Sequence, residues 1–177
     1  MAETDTTRNG EAPKISEKDL MRLEEFAKAI ENGTMTVADS RGITKDELEA
    51  VYSIAYDFYR TGRYDDAETL FSFLTIFDHL NEKFWMGAAA VAQVKKKYDE
   101  ALKAYSYVAA ILNLENYKAS YHAAECYLAL GNRAAAQSAI DHVKQYADVK
   151  TERGRTYRAK ALRLEKAMQA NAEGKTA

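Results

Sequence analysis

The chain has one cysteine, Cys126, and one proline, Pro13, among 177 residues. A lone cysteine excludes an intramolecular disulfide and fits a reducing compartment. Proline in a helix interior costs about 3 kcal/mol, and none occurs beyond Pro13. No apolar run approaches the ~20 residues of a membrane-spanning helix. The longest mild stretch, WMGAAAVAQV at 85–94, is short and rich in alanine. The opening MAETDTTRNGEAPK is polar and lacks the apolar centre of a signal peptide. A net charge of −2 lacks the basic excess with which nucleic-acid binders neutralise phosphates. Glycine-rich phosphate loops, G-x-S-x-G elbows and paired-carboxylate motifs are missing too. These absences argue against membrane insertion, nucleic-acid binding and catalysis, so we expect no enzyme and no cofactor.

What is present is helix former: alanine, leucine, lysine and glutamate, with little period-two alternation. The expected fold class is all-α. Residues 1–14 carry no apolar periodicity and read as a disordered N-terminus. Ser16 with Asp19 then offers a variant capping box. The helix it opens has Leu20, Leu23, Phe26, Ala27 and Ile30 on one stripe, which needs a partner. Residues 15–43 form this N-terminal helical region, ending in a connector with a helical turn. Thr44 with Glu47 makes a second capping box.

From there the sequence repeats. TGRYDDAETLF at 61–71 aligns with KKKYDEALKAY at 95–105 and LGNRAAAQSAI at 130–140, at offsets of 34 and 35 residues. Ala67, Ala101 and Ala136 are equivalent, as are Phe71, Tyr105 and Ile140. Upstream, Phe58, Ala92 and Tyr127 line up. A period of 34 with helix–turn–helix content is the tetratricopeptide signature. Small alanines allow close helix pairing, and the large residue one turn later fills the space beside the next repeat. Gly62 and Gly131 suit the turn within a repeat, whereas the second copy has Lys96 there. We therefore expect three tetratricopeptide-like repeats over 44–149, stacked as an α-solenoid. A basic capping helix follows over 150–170, with Tyr157, Ala161, Leu164 and Met168 inward, then a flexible tail at 171–177.

VYSIAYDFYR at 51–60 places Tyr52, Tyr56 and Tyr59 at i, i+4, i+7. Val51, Ile54, Ala55 and Phe58 occupy the packing face of the same helix, leaving the tyrosines toward the concave wall of a solenoid. Equivalent positions are Met86, Ala90 and Gln93, then Tyr121, Glu125 and Leu128. Such a wall is apolar, aromatic and suited to a peptide, because tyrosine gives wide contact at low entropy cost and methionine adapts. The competing reading buries these tyrosines within the solenoid.

HAAEC places His122, Glu125 and Cys126 on one helical face. No second cluster completes a metal site and no third group completes a thiol dyad, so no metal is expected and core roles are preferred. KKKYDE at 95–100 reads as a solvated basic turn. A carboxylate-clamping adaptor would need lysine, asparagine and arginine along the wall, where only Lys118 fits.

LEAVYSIAYDFYRTGRYDDAETLFSFLTIFDH, FWMGAAAVAQVKKKYDEALKAYSY and YHAAECYLALGNRAAA resemble the class II chaperones of bacterial type III secretion. The lead-in, with Gly33–Thr34 and Gly42–Ile43, resembles them too, and the likeness spans about residues 15–165. It implies a bacterial cytoplasmic chaperone that keeps hydrophobic translocator proteins soluble by holding an extended segment in the concave groove. It further implies groove roles for Tyr52, Tyr56 and Tyr59. A homodimer through the N-terminal region is implied, for which Leu20, Leu23, Phe26 and Ile30 are the candidates, and a transcriptional activator as a possible further partner. The chain departs from the family in being nearly neutral, with a basic C-terminal helix. The alternative function is an adaptor for another peptide or a transcriptional co-regulator.

Overall fold

The computed structural model describes residues 16–173, and the chain divides between Thr36 and Val37 into two compact units. The expected disordered N-terminus, residues 1–14, lies outside the described residues.

In the first unit, α1 spans Glu17–Glu31. It ends where Gly33 takes φ +65°, with Gly33 N–H donating to Ile30 O and Thr34 N–H to Ala29 O. This paired closure satisfies carbonyls that the last helical turn leaves open. Leu20 and Leu23 of α1 are about half exposed, at 49% and 53%.

The second unit is helical throughout its described residues. The short α2, Val37–Arg41, precedes three antiparallel pairs. These are α3 (Lys45–Arg60) with α4 (Tyr64–Phe77), α5 (Glu82–Val94) with α6 (Tyr98–Tyr107), and α7 (Tyr117–Ala129) with α8 (Arg133–Tyr146). The last helix, α9, runs Glu152–Glu173. It therefore continues through 171–173, which the sequence reading assigns to the tail. Thr44 begins α3 as expected. Its hydroxyl accepts from Glu47 N–H, while the Glu47 carboxylate accepts from Thr44 N–H at 2.8 Å.

The periodic residues are the core. Ala67, Ala101 and Ala136 are fully buried, and Phe71, Tyr105 and Ile140 are at most 1% exposed. The first helices of the pairs contribute Ala55, Ala89 and Ala124, all at 0%. One expected packing residue differs: Ile54 is exposed. Its equivalents, Ala88 and Ala123, lie on the face that meets the preceding repeat. Because α3 opens the stack of repeats, that face has no preceding repeat to meet.

All three turns within pairs use one closure. Arg63, Lys97 and Asn132 donate to the carbonyls of Phe58, Ala92 and Tyr127. The residue before each donor is left-handed: Gly62 at φ +79°, Lys96 at +61° and Gly131 at +76°. The second repeat thus holds a lysine in glycine's conformation. The neighbouring lysines are tied back to α4, with Lys95 Nζ on Asp65 and Glu68 and Lys97 Nζ on Glu68. Half of the expected solvated turn is therefore an inter-repeat ion-pair network.

Helix α6 passes into a π-helical turn, Val108–Leu112, before α7. At the far end Ala161 is fully buried, and Tyr157, Leu164 and Met168 pack on the α7–α8 core, as the sequence stripe predicts. Gly154 permits a close approach there, since a Cβ at this position would fall 1.9 Å from Asp148 O.

Candidate peptide-binding groove

The tyrosine spacing produces a continuous aromatic ladder on α3. Tyr52 stacks on Tyr56 with centroids 6.1 Å apart, Tyr56 on Tyr59 at 6.4 Å, and Tyr59 meets Tyr64 at 6.0 Å. Tyr52 anchors the ladder to the core, edge-on to Phe71 at 5.8 Å and tilted against Phe84 at 5.9 Å. Tyr56 is exposed, while Tyr52 and Tyr59 are half-buried. Burial, and then neighbouring Tyr56 and Glu49, push the Tyr52 phenol up. Burial and Tyr64 do the same for Tyr59.

This ladder walls a cavity of about 270 Å³, lined by Tyr52, Tyr56, Tyr59, Phe71, Glu82, Lys83, Met86, Gly87, Ala90 and Lys118. Gly87 is essential to its floor: a Cβ there would sit 2.1 Å from the Phe71 ring. Lys83 Nζ lies 3.9 Å from the centre of the Tyr52 ring and pairs with Glu49. Glu82 accepts from the side chains of Asn113 and Asn116.

A second cavity, about 550 Å³, adjoins the first and shares Tyr59, Met86 and Ala90 with it. Its remaining lining is Gln93, Val94, Tyr98, Tyr105, His122, Glu125 and Ala129. Here the wall becomes polar. Tyr105 hydroxyl donates to Gln93 Oε1 at 2.8 Å, Gln93 Nε2 donates to Glu125 Oε2 at 3.1 Å, and His122 Nδ1 lies 2.9 Å from the same oxygen. Burial acts to raise the Glu125 pKa, but hydrogen bonds from His122, Tyr121 and Gln93 outweigh it and hold the carboxyl below its ordinary range. An ionised carboxylate only accepts, so Nδ1 carries the proton.

Of the nine residues that repeat spacing assigns to the wall, Tyr52, Tyr56, Tyr59, Met86, Ala90, Gln93 and Glu125 line these cavities. Tyr121 and Leu128 do not. Tyr121 is only 9% exposed and sits edge-on to Tyr157 of α9 at 5.5 Å. The third-repeat wall is instead carried by Lys118, His122, Glu125 and Ala129. Gly87, an interior helical glycine, was the one visible hint of a close approach, whereas the contribution of Tyr105 from the second helix of its pair left no pattern.

Burial and neighbouring Glu125 push the Cys126 thiol up to about 11, the reverse of nucleophile activation. Among the described residues no three His, Cys, Asp or Glu side chains are grouped to hold a metal ion, and no helix is long and apolar enough to cross a membrane.

Comparison with known proteins places this groove in context. The tetratricopeptide repeat family model matches residues 48–81 and 83–116. The chain is 36% identical over 132 residues to low calcium response locus protein H of Yersinia pestis, covering 75% of this chain and 76% of that one. The type III secretion chaperone SycD of Yersinia enterocolitica, solved with a peptide of the translocator YopD, superposes with a TM-score of 0.69 at 31% identity, covering 73% and 98% of the two chains. The chain belongs to the type III secretion translocator chaperones. PcrH of Pseudomonas aeruginosa, solved with the chaperone-binding region of PopD, also superposes at 0.69, with 30% identity and 74% and 97% coverage. As a family member the chain is a tetratricopeptide chaperone, and the aromatic cavities lie on the first helices of its repeats.

Proposed function

We propose that this chaperone acts without catalysis in the bacterial cytoplasm, receiving an extended apolar segment of a hydrophobic translocator over α3, α5 and α7. The observation that carries this reading is the Tyr52–Tyr56–Tyr59 ladder beside a cavity also lined by Phe71 and Met86. A translocator must later enter a membrane, so its apolar segments would associate in water beforehand. Covering one leucine-sized anchor supplies about 1.5–3 kcal/mol, part of which is offset by ordering the client chain. Several such contacts along the segment are needed to reach the micromolar affinity expected here, about 8 kcal/mol, tight enough to hold and weak enough to release.

The test is co-expression with the translocators encoded by the same bacterium, followed by co-purification and titration of the bound segment. Alanine at Tyr52 and Tyr59 is expected to weaken binding about tenfold or more while circular dichroism stays unchanged. Full binding by the folded double variant would refute the groove assignment.

The half-exposed Leu20 and Leu23 of α1, with Phe26 and Ile30, are proposed as the homodimer contact. Glutamate at Leu23 and Phe26 is expected to halve the mass measured by light scattering. An unchanged mass would dismiss that role.

A further inference from the structure

We propose that Glu125 selects a basic side chain in the segment the groove receives, next to the apolar anchor held by the tyrosine ladder. This inference rests on the groove reading above and adds the chemistry of its second half.

Glu125 is the one carboxylate among the residues lining the larger cavity, and no lysine or arginine lines it. Its side chain is one-third exposed, and it accepts hydrogen bonds from Gln93, His122 and Tyr121. Lys160 of α9 lies instead over the rings of Tyr121 and Tyr157, at 5.6 and 5.0 Å.

The carboxylate is also aimed. Tyr105 is 1% exposed and its hydroxyl occupies Gln93 Oε1, which turns the Gln93 amide nitrogen toward Glu125. Gln93 and His122 converge on one oxygen, Oε2. A partly desolvated anion fixed at a cavity wall makes a charge-assisted hydrogen bond at little cost in ordering the protein. A lysine or arginine head group satisfies it, and its aliphatic stem suits Met86, Ala90 and Val94 in the same wall. An apolar side chain there would further desolvate the carboxylate and add no hydrogen bond to those it already has from Gln93 and His122.

The two cavities lie across neighbouring first helices. Packed helices are about 8–10 Å apart and an extended chain advances about 3.3 Å per residue. The basic residue therefore falls about three positions from the anchor.

The probe is a fluorescein-labelled synthetic peptide with a leucine anchor and a lysine about three residues on, compared with the same peptide carrying norleucine for lysine. Fluorescence anisotropy with the full chain is expected to favour lysine about tenfold, less at high salt. Glu125→Gln should abolish that preference, so that the two peptides bind alike. Equal affinity for both peptides in the unsubstituted chaperone, with Tyr56→Ala still weakening each, would overturn the role of Glu125 and leave the groove reading standing. Binding of neither peptide, or binding indifferent to Tyr56→Ala, would overturn the groove reading and this inference with it. The ligand substitution needs no protein variant, so a misfolded Glu125→Gln protein would not shield the proposal.

Discussion

Gly87→Ala sets two physical effects against each other, and the structure decides between them. Alanine replaces glycine inside α5, which by helix propensity alone gains about 1 kcal/mol. The new methyl, however, would stand 2.1, 2.5 and 2.6 Å from three atoms of the Phe71 ring. Ordinary contact begins near 3.4 Å, so the ring must retreat by more than an ångström. Phe71 is 1% exposed and has Tyr52 edge-on at 5.8 Å, so its retreat would push on the tyrosine ladder or into the cavity that the two rings line. Overpacking of this kind costs about 1–3 kcal/mol. With the clash at the upper end, the net loss is about 1–2 kcal/mol, or a Tm lower by about 2–8 °C for a chain of this size. Thermal unfolding followed at 222 nm reads it directly. Because Tyr52 leans on Phe71, the segment bound in the smaller cavity should also weaken, and Phe71→Leu in the Gly87→Ala background should restore part of the stability. A Tm that rises for Gly87→Ala would refute the reasoning, since propensity would then have won and Phe71 would be free to yield.

Three further outcomes are expected. Lys96→Gly should raise stability by about 0.5–1 kcal/mol, because glycine removes the left-handed penalty at φ +61° and returns only part of it as unfolded-chain entropy; equilibrium urea unfolding checks it. Gly154→Ala would drive a Cβ to 1.9 Å from Asp148 O, backbone that cannot swing aside, so α9 should loosen and its amides should exchange hydrogen faster than those of α5. Stability should decline at both pH extremes. Hydrogen bonds from Lys95 hold Asp65 and Glu68 low, and those from Lys144 hold Asp141 and Glu165 low, so their contribution is present above the ordinary carboxylate range and lost as pH falls through the depressed values. Burial, then Glu125, pushes Tyr121 up to about 12, and burial pushes Tyr105 higher still, so stability is intact below the ordinary phenol value and falls as pH climbs from about 10 toward 12. Absorbance at 295 nm should show the last phenols ionising only as helicity is lost; their ionisation in a folded chain would contradict this.

The solenoid was legible because each of its parts repeats in composition. Ala67, Ala101 and Ala136 mark close pairing, and Phe71, Tyr105 and Ile140 mark the interval between repeats, so spacing alone located the core. The tyrosine ladder was legible for the same reason, since i, i+4, i+7 spacing on a helix fixes one face whatever surrounds it. Ile54 was misplaced because the pattern that names a packing face does not say whether a neighbouring repeat is there to pack on it. Lys96 shows the converse: its residue type argues against a left-handed turn, yet the hydrogen bonds from Lys96 and Lys97 to Gln93 and Ala92 impose it.

The third repeat shows where periodic reasoning fails for function. Extending the offset of 35 residues makes Tyr121 and Leu128 wall residues, on the premise that each first helix has the same neighbours. It does not. Helix α5 is followed by α7, but α7 is followed by α9, which presents Tyr157 to Tyr121. Tyr121 is buried against Tyr157, and the neighbouring position, His122, comes to the wall with Glu125. Glu125 itself stands where the repeat spacing puts it, and the side chains beside it, His122 in place of Tyr121, are what the end of the array changes.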